Sequence, residues 1–132
     1  MSWDFINPIP LGQFYEIGLD MAKPYHVCGG LQDNNAWCGP TASMDSRGVR
    51  NEDWFTVGGG DGFYAQIDPV DWWVLFRNLQ MGNIERHNLK TGESVGIRPE
   101  APLGEPPYRF NWNSPIYLSP HDRNVLYFGG NF

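Results

Sequence analysis

Short runs of β-branched and aromatic residues recur along the chain, separated by Gly, Pro, Asn and Asp. Such runs between turn residues predict β-strands. No window has a convincing apolar period of 3.6 residues, and the best helical candidate, 70–80, is aromatic and lies between Pro69 and Gly82. The pattern therefore predicts an all-β protein.

Three stretches of the chain resemble one another. Residues 68–76 (DPVDWWVLF) and 119–127 (SPHDRNVLY) both fit x-P-x-D-x-x-V-L-aromatic, and residues 19–27 (LDMAKPYHV) fit more loosely. Their apolar anchors are 47 and 51 residues apart, at Val27, Val74 and Val125. A period of about 40 to 50 residues with about four short strands per unit indicates the blades of a β-propeller.

The predicted fold is a partial β-propeller of about two and a half blades, in one domain spanning 1–132. It has four-stranded antiparallel blades at 13–57 and 62–98 and a half blade at 113–132. The predicted strands of the first blade are Gln13–Leu19, Tyr25–Leu31, Asn35–Gly39 and Trp54–Val57. Those of the second are Gly62–Ile67, Trp73–Asn78, Asn83–Asn88 and Ser94–Arg98, and those of the third are Pro115–Ser119 and Val125–Phe128.

Composition and charge exclude several classes of function. Gly and Pro make up about a fifth of the chain, aromatics are 15%, and the net charge is -6 without any Lys/Arg cluster. Nucleic acid is therefore not an expected partner. The N-terminus lacks the pattern of a secretion signal, and no apolar run approaches the ~20 residues of a membrane helix. The chain as encoded is expected to be cytoplasmic, without membrane insertion.

Cys28 and Cys38 lie on two strands predicted to form a hairpin. With the turn centred near Asn34–Asn35, Cys28 faces Thr41 and Cys38 faces Leu31. A disulfide requires Cα atoms within about 7 Å. This register therefore predicts two small buried thiols rather than a disulfide.

Several motifs together resemble those of Asp-box (BNR-repeat) propellers. They are G-G-x-Q-D-N at 29–34, G-G-G-D-G-F at 58–63 and F-N-W-N-S-P at 110–115. The family includes sortilin-like propellers and bacterial relatives described as glycosyl hydrolases. The resemblance implies a propeller fold and an activity on, or affinity for, carbohydrate. The chain departs from the family in its Asp box, since 43–48 is only a distorted version, and in having fewer blades.

The glycine-rich segment 58–62 raises the question of phosphate binding. It does not fit G-x-G-x-x-G, because Phe63 occupies the last glycine position, and no Lys-Ser/Thr or helix follows. It lies where the chain crosses from the outer strand of one blade to the inner strand of the next. Glycines permit the close approach and the positive φ angles that such a crossing requires.

The up-and-down blade places this crossing on the same rim as the turn between the second and third strands. One rim then collects amides, acids and an aromatic ring, which suit sugar hydroxyls and sugar faces. The alternative is that Asn, Asp and Gly are there only as turn residues. The predicted ligand-binding residues are Gln32, Asp33, Asn34, Asp61, Gln80, Asn111 and Trp112.

Catalysis has weaker support in the sequence. A glycosidase requires two carboxyl groups about 5 to 9 Å apart, and Asp33 and Asp61 are the only weak candidates on this rim. His26, His87 and His121 are scattered, and no spacing resembles a metal site, so no metal or cofactor is predicted.

Two functions follow as hypotheses. The chain is a propeller segment that acts as a structural or assembly unit or as a carbohydrate-binding module, without catalysis on its own. The alternative is part of a glycoside hydrolase that uses an Asp pair on the propeller face. A partial propeller leaves two open flanks and an unpaired strand edge at Val125–Phe128. Self-association through these surfaces is therefore expected.

Overall fold

The computed structural model describes residues 12–131. The predicted domain 1–132 extends beyond them at residues 1–11 and 132, which lie outside the described residues. The strands are β1 Phe14–Leu19, β2 His26–Leu31, β3 Ala36–Pro40, β4 Phe55–Gly58, β5 Ala65–Ile67, β6 Val74–Asn78, β7 Ile84–Asn88, β8 Ser94–Gly96, β9 Ile116–Leu118 and β10 Leu126–Phe128. Two 3-10 turns, Asn51–Asp53 and Gln80–Gly82, complete the elements of this part of the chain.

The all-β prediction is confirmed, with two four-stranded antiparallel sheets and a hairpin. Sheet 1 has the order β1-β2-β3-β4, sheet 2 has the order β5-β6-β7-β8, and β9 pairs with β10. All pairs are antiparallel and join strands that are consecutive in the chain. Within residues 12–131, no helix is long and apolar enough to cross a membrane.

The prediction of two unpaired thiols is wrong, because Cys28 and Cys38 form a disulfide with Cα atoms 4.1 Å apart. The Leu31 amide donates to the Asn35 carbonyl (2.8 Å), which centres the turn on Asp33 rather than on Asn34–Asn35. Cys28 then lies directly opposite Cys38. Counting from the hydrogen-bonded Leu31–Asn35 pair, the cysteines occupy a non-hydrogen-bonded position, where antiparallel strands bring side chains closest.

The turn after the first strand of each unit is closed by a side-chain oxygen that accepts from two backbone amides, and the spacing of these amides is the same in the second and third units and wider in the first. In sheet 1 the Asp20 carboxylate accepts from the Ala22 and His26 amides (3.1 and 2.7 Å). In sheet 2 the Asp68 carboxylate accepts from the two amides at 70 and 71 (2.8 and 2.9 Å). In the hairpin the Ser119 hydroxyl accepts from the two amides at 121 and 122 (3.2 and 3.3 Å). The sequence repeat is therefore a repeat of structure.

Each of these turns also contacts the turn of the preceding unit. Trp72 of sheet 2 stacks on the His26 ring of sheet 1, with centroids 5.4 Å apart, and His26 Nδ1 bonds Asp20 Oδ2 at 2.6 Å. In the hairpin, the Arg123 guanidinium donates to Asp68 Oδ2 at 3.0 and 2.7 Å and to Asp71 Oδ2 at 2.7 Å. Trp72 and Arg123 both precede their valine anchors by two residues. The same position thus links neighbouring units by different chemistry.

The first strands of the three units lie side by side, β1 beside β5 and β5 beside β9. A Cβ on Gly18 would lie 1.9 Å from the Ala65 carbonyl oxygen, so only glycine allows β1 to approach β5 this closely. The core between sheets 1 and 2 consists of small and branched side chains: Cys28, Ala36, Cys38, Val57, Ala65, Ile67 and Leu75. The disulfide is therefore part of the interface between the two sheets.

We expect loss of the disulfide to lower the free energy of unfolding by about 2–3 kcal/mol, the entropy cost of a loop of roughly ten residues. The double variant Cys28→Ala/Cys38→Ala tests this by urea denaturation. The wild type should fall to a similar stability when reductant is added, whereas the double variant should not respond to reductant. Equal stability of oxidised and reduced wild type would contradict the expectation.

A second prediction separates the turn from the link between sheet 2 and the hairpin. Asp68→Ser keeps a side-chain oxygen for the turn amides, as Ser119 does, but loses the Arg123 pair. We expect it to lower stability by about 1 kcal/mol, because Arg123 is partly exposed. Asp68→Ala should cost about 1 kcal/mol more. A double-mutant cycle with Arg123→Gln should give a coupling energy near ~1 kcal/mol with Asp68 and none with the control Asp45.

The same pair gives a pH dependence. Burial acts to raise the pKa of Asp68, but the two turn amides and the Arg123 guanidinium outweigh it, so the pKa lies below the ordinary value. The stability from this group is therefore present above its unfolded pKa of about 3.9 and is lost as the pH falls through the folded pKa. As the pH is lowered, the free energy of unfolding of Asp68→Ser should fall less steeply than that of the wild type. The same decrease in both proteins would contradict a contribution from Asp68.

Candidate functional site

The end of the sheets opposite the repeated turns forms a surface that we call the turn rim. It contains the β2–β3 turn, the β4–β5 crossing, the β6–β7 turn and the β8–β9 crossing. The Asn35 amide donates to the Gly60 carbonyl (3.0 Å), and the Met81 amide donates to the Trp112 carbonyl (3.2 Å). Each turn is therefore joined to the crossing that follows its sheet, as the up-and-down strand order requires.

Asp33 and Asp61 lie together on the turn rim although they are far apart in sequence. Asp61 is buried in the middle of the crossing, and its Oδ1 accepts from the Asp33 amide at 2.6 Å. Hydrogen bonding to the Asp61 side chain, the negative charge of Asp61 and partial desolvation raise the pKa of the exposed Asp33 carboxyl above its ordinary value. The Asp33 carboxyl therefore keeps its proton to a higher pH than a free Asp does.

Tyr15 of β1 faces this pair. Its ring packs against Phe63, with centroids 4.8 Å apart. Desolvation raises the pKa of the Tyr15 phenol, and the negative charges of Asp61 and Asp33 raise it further. We call Tyr15, Asp33 and Asp61 the carboxyl–tyrosine cluster. It presents a neutral hydroxyl donor beside carboxyl acceptors over a wide pH range.

The other two predicted residues of the β2–β3 turn, Gln32 and Asn34, are exposed beside the cluster. With Asp33 they line an open depression of about 460 Å³, which Gly12 and Gln13 complete. The Asn34 side-chain amide donates to the Gln32 carbonyl (3.0 Å) and the Trp37 indole donates to the Asn34 carbonyl (2.7 Å). An indole and a phenol therefore flank the polar turn.

The remaining predicted residues lie further along the turn rim. Gln80 lies next to the β4–β5 crossing, since its Oε1 is 3.1 Å from the Cβ position of Gly60. Trp112 is half-exposed and bonds the β6–β7 turn through its carbonyl oxygen. Asn111 lines a second depression of about 530 Å³ with Arg109, Asn113 and Asn131 among others. The structure thus gathers Gln32, Asp33, Asn34 and Asp61, and places Asn111 in a separate depression.

The crossing at 58–62 serves the packing of the turn rim. Gly60 has φ +64°, which glycine adopts without strain, and its carbonyl accepts the Asn35 amide. No α-helix follows, so this segment has no helix N-terminus to direct at an anion. The Asp61 side chain in this crossing accepts a hydrogen bond from the adjacent turn, which gives it a structural role.

Sequence reasoning missed three features near the site. Tyr15 follows the aromatic residue that opens the first strand, and only its packing on Phe63 places it near Asp61. Trp37 had no assigned role because the register of its hairpin was wrong. Asn113 Oδ1 is buried with no hydrogen-bond partner among the described residues, in the crossing that follows sheet 2.

The geometry of the two carboxyls bears on catalysis. Retaining glycosidases hold their carboxyl groups about 5–5.5 Å apart and inverting enzymes about 6.5–9.5 Å apart. Asp61 is buried and its Oδ1 accepts from the Asp33 backbone amide at 2.6 Å, so one oxygen of this candidate acid is already bound by the turn. Among residues 12–131, no group of three or more His, Cys, Asp or Glu is placed to hold a metal ion.

Comparisons with protein-family models, with curated proteins and with solved structures found no match to this chain. Membership of the Asp-box propeller family therefore remains a resemblance in short motifs.

The cluster makes a prediction for titration. Asp61→Asn removes the charge that raises the pKa values of Asp33 and Tyr15, so both should fall towards their ordinary values. Carbon-detected NMR titration of the side chains measures this directly. The pKa of Asp45, lowered by its hydrogen bonds to Arg47, is the internal control and should not change. Unchanged pKa values of Asp33 and Tyr15 would contradict the prediction that the charge of Asp61 raises them.

Proposed function

We propose that the three units are successive blades of a β-propeller-type array, and that this array is a scaffold that binds carbohydrate at its turn rim. The lateral contacts of β1 with β5 and of β5 with β9 support the blade arrangement, because first strands gather around an axis in a propeller. The recurring link between successive turns, Trp72 to His26 and Arg123 to Asp68, also supports it.

The observation that carries the binding proposal is the carboxyl–tyrosine cluster beside the depression at Gln32–Asn34. Its groups are a phenol, two carboxyls and amide side chains, and an indole lies next to them. A sugar presents paired hydroxyls, which need both donors and acceptors, and apolar C–H faces, which pack on aromatic rings. The cluster and the adjoining turn bring these groups together at one end of sheet 1, where Gln32, Asp33 and Asn34 are exposed.

The alternative function, a glycoside hydrolase, has less support. Asp61 is buried and accepts from the Asp33 amide, so it serves the turn rather than an open gap that could hold a glycosidic oxygen and a water. We therefore propose binding without hydrolysis. The cytoplasmic localisation expected from the sequence stays a prediction, and the Cys28–Cys38 disulfide favours an oxidising environment instead.

Binding can be measured by glycan array followed by calorimetry on the best oligosaccharide. We expect Asp61→Asn and Gln32→Ala each to weaken binding about tenfold or more, since each removes polar contacts worth roughly 1.4 kcal/mol. Asp122→Asn, in a turn at the opposite end of the sheets, is the matched control and should bind like the wild type.

The same oligosaccharide should remain intact during a long incubation, as followed by mass spectrometry. If Asp122→Asn weakens binding as much as Asp61→Asn does, the proposal that the sugar binds at the turn rim is contradicted. Release of reducing ends that depends on Asp33 or Asp61 would favour the hydrolase.

A further inference from the structure

We propose that copies of this chain associate head to tail, with the outer face of the β9–β10 hairpin of one copy packed against the outer face of sheet 1 of the next. The occupant of each open flank is thus a second copy. This goes beyond sugar binding and rests only on the proposed blade arrangement.

The first support is a difference in burial between equivalent residues of the first strands. Ala65 and Ile67, three residues and one residue before Asp68, are packed into the core with sheet 1 and are 1% and 7% exposed. Ile116, three residues before Ser119, is 2% exposed in the strand beside β5. Ile17 and Leu19 occupy the same positions before Asp20, yet they are 57% and 54% exposed.

Ile17 and Leu19 therefore form the surface that, in the later units, packs against the preceding sheet. The Gly18 Cβ position contacts the Ala65 carbonyl, so Gly18 points towards sheet 2 and its neighbours Ile17 and Leu19 point away from it. Among residues 12–131, no sheet precedes sheet 1 on that side.

The hairpin presents the complementary surface. Tyr117 pairs directly with Tyr127, and the two are 58% and 57% exposed. Tyr117 precedes Ser119 by two residues, as Gly18 precedes Asp20, and Gly18 is the position that contacts the following sheet. The two tyrosines thus occupy the face on which a following sheet would pack.

In the turns, the register pairs Leu19 with Val27 as it pairs Ile67 with Leu75 and Leu118 with Leu126, so Pro24 lies at the position of Trp72 and Arg123. The strand faces therefore provide the proposed contact. Both end surfaces therefore continue an interface that already occurs twice within the chain.

This contact joins two different surfaces, so it is heterologous and can be blocked from either side. Tyr117→Lys/Tyr127→Lys blocks the hairpin face, and Ile17→Lys/Leu19→Lys blocks the sheet 1 face. Val95→Lys, on a half-exposed strand residue of sheet 2, is the matched control. Each variant is checked for an intact disulfide and a wild-type circular dichroism spectrum.

Analytical ultracentrifugation from 1 to 200 µM is the test. The weight-average mass of the wild type and of Val95→Lys should rise with concentration. Each blocked variant alone should remain a monomer, and an equimolar mixture of the two should form a 1:1 heterodimer, because each retains the face that the other lacks. A monomeric wild type, a blocked variant that still self-associates, or a mixture that stays monomeric would each overturn the proposal.

Concentration-dependent NMR of the wild type covers the case in which a blocked variant does not fold. Shifts should move together at Ile17, Leu19, Tyr117 and Tyr127 and stay constant at Val95. Changes confined to one face would show another occupant, such as residues 1–11 of the same chain or a symmetric pairing, and would contradict the proposal. Pairing at the free edge of β10 stays a separate prediction. The blade arrangement is tested separately by the Asp68–Arg123 coupling energy, which is intramolecular and can be measured on a monomer.

Discussion

The close approach of β1 to β5 is the contact on which the rest of the structure depends. Strands of three to six residues form sheets too small to be stable alone, so each unit must bury one face against its neighbour. Gly18 lets the β1 backbone contact the Ala65 carbonyl, and the Cys28–Cys38 disulfide lies in the core that results. The same lateral relation joins β5 to β9.

This constraint also explains the chemistry at both ends of the sheets. When first strands lie side by side, the turns that follow them are neighbours, and position 72 or 123 can reach the turn of the previous unit. At the opposite end, the crossing of one sheet meets the β2–β3 turn of the same sheet. Asp61 is buried there against Asp33 and Tyr15, so the candidate binding cluster is a by-product of the way one sheet leads into the next.

Local patterns in the sequence were sufficient for the strands and for their grouping. Turn residues bound each aromatic and β-branched run, and the x-P-x-D-x-x-V-L repeat marked corresponding turns of the second and third units. The hairpin containing both cysteines was misregistered, because its tight turn depends on Asp33 and Asn35 adopting positive φ angles, 58° and 67°. A shift of the turn centre by one and a half residues changes every cross-strand partner, and with it the disulfide.

Contacts between units were less accessible to sequence reasoning. The rim prediction brought Asp33 near Asp61 because strand order alone dictates it, whereas the contribution of Tyr15 required the side-chain packing of β1 on Phe63. The stacking of Trp72 on His26 was likewise invisible, since Trp72 replaces a cation found at the equivalent position, Arg123. Because Trp72 and Arg123 occupy equivalent positions with different side chains, the sequence repeat does not reveal their shared role.

The most direct test of the repeated packing is a set of nuclear Overhauser effects in a dilute, monomeric sample. The Ile67 Cδ1 methyl lies 3.2 Å from the Cβ position of Gly18, so a strong effect should connect this methyl to the Gly18 Hα protons. Weaker effects should connect β5 to β9. Observation of both sets would establish that the three first strands lie side by side. Complete assignment without an effect between Ile67 and Gly18 would contradict the account.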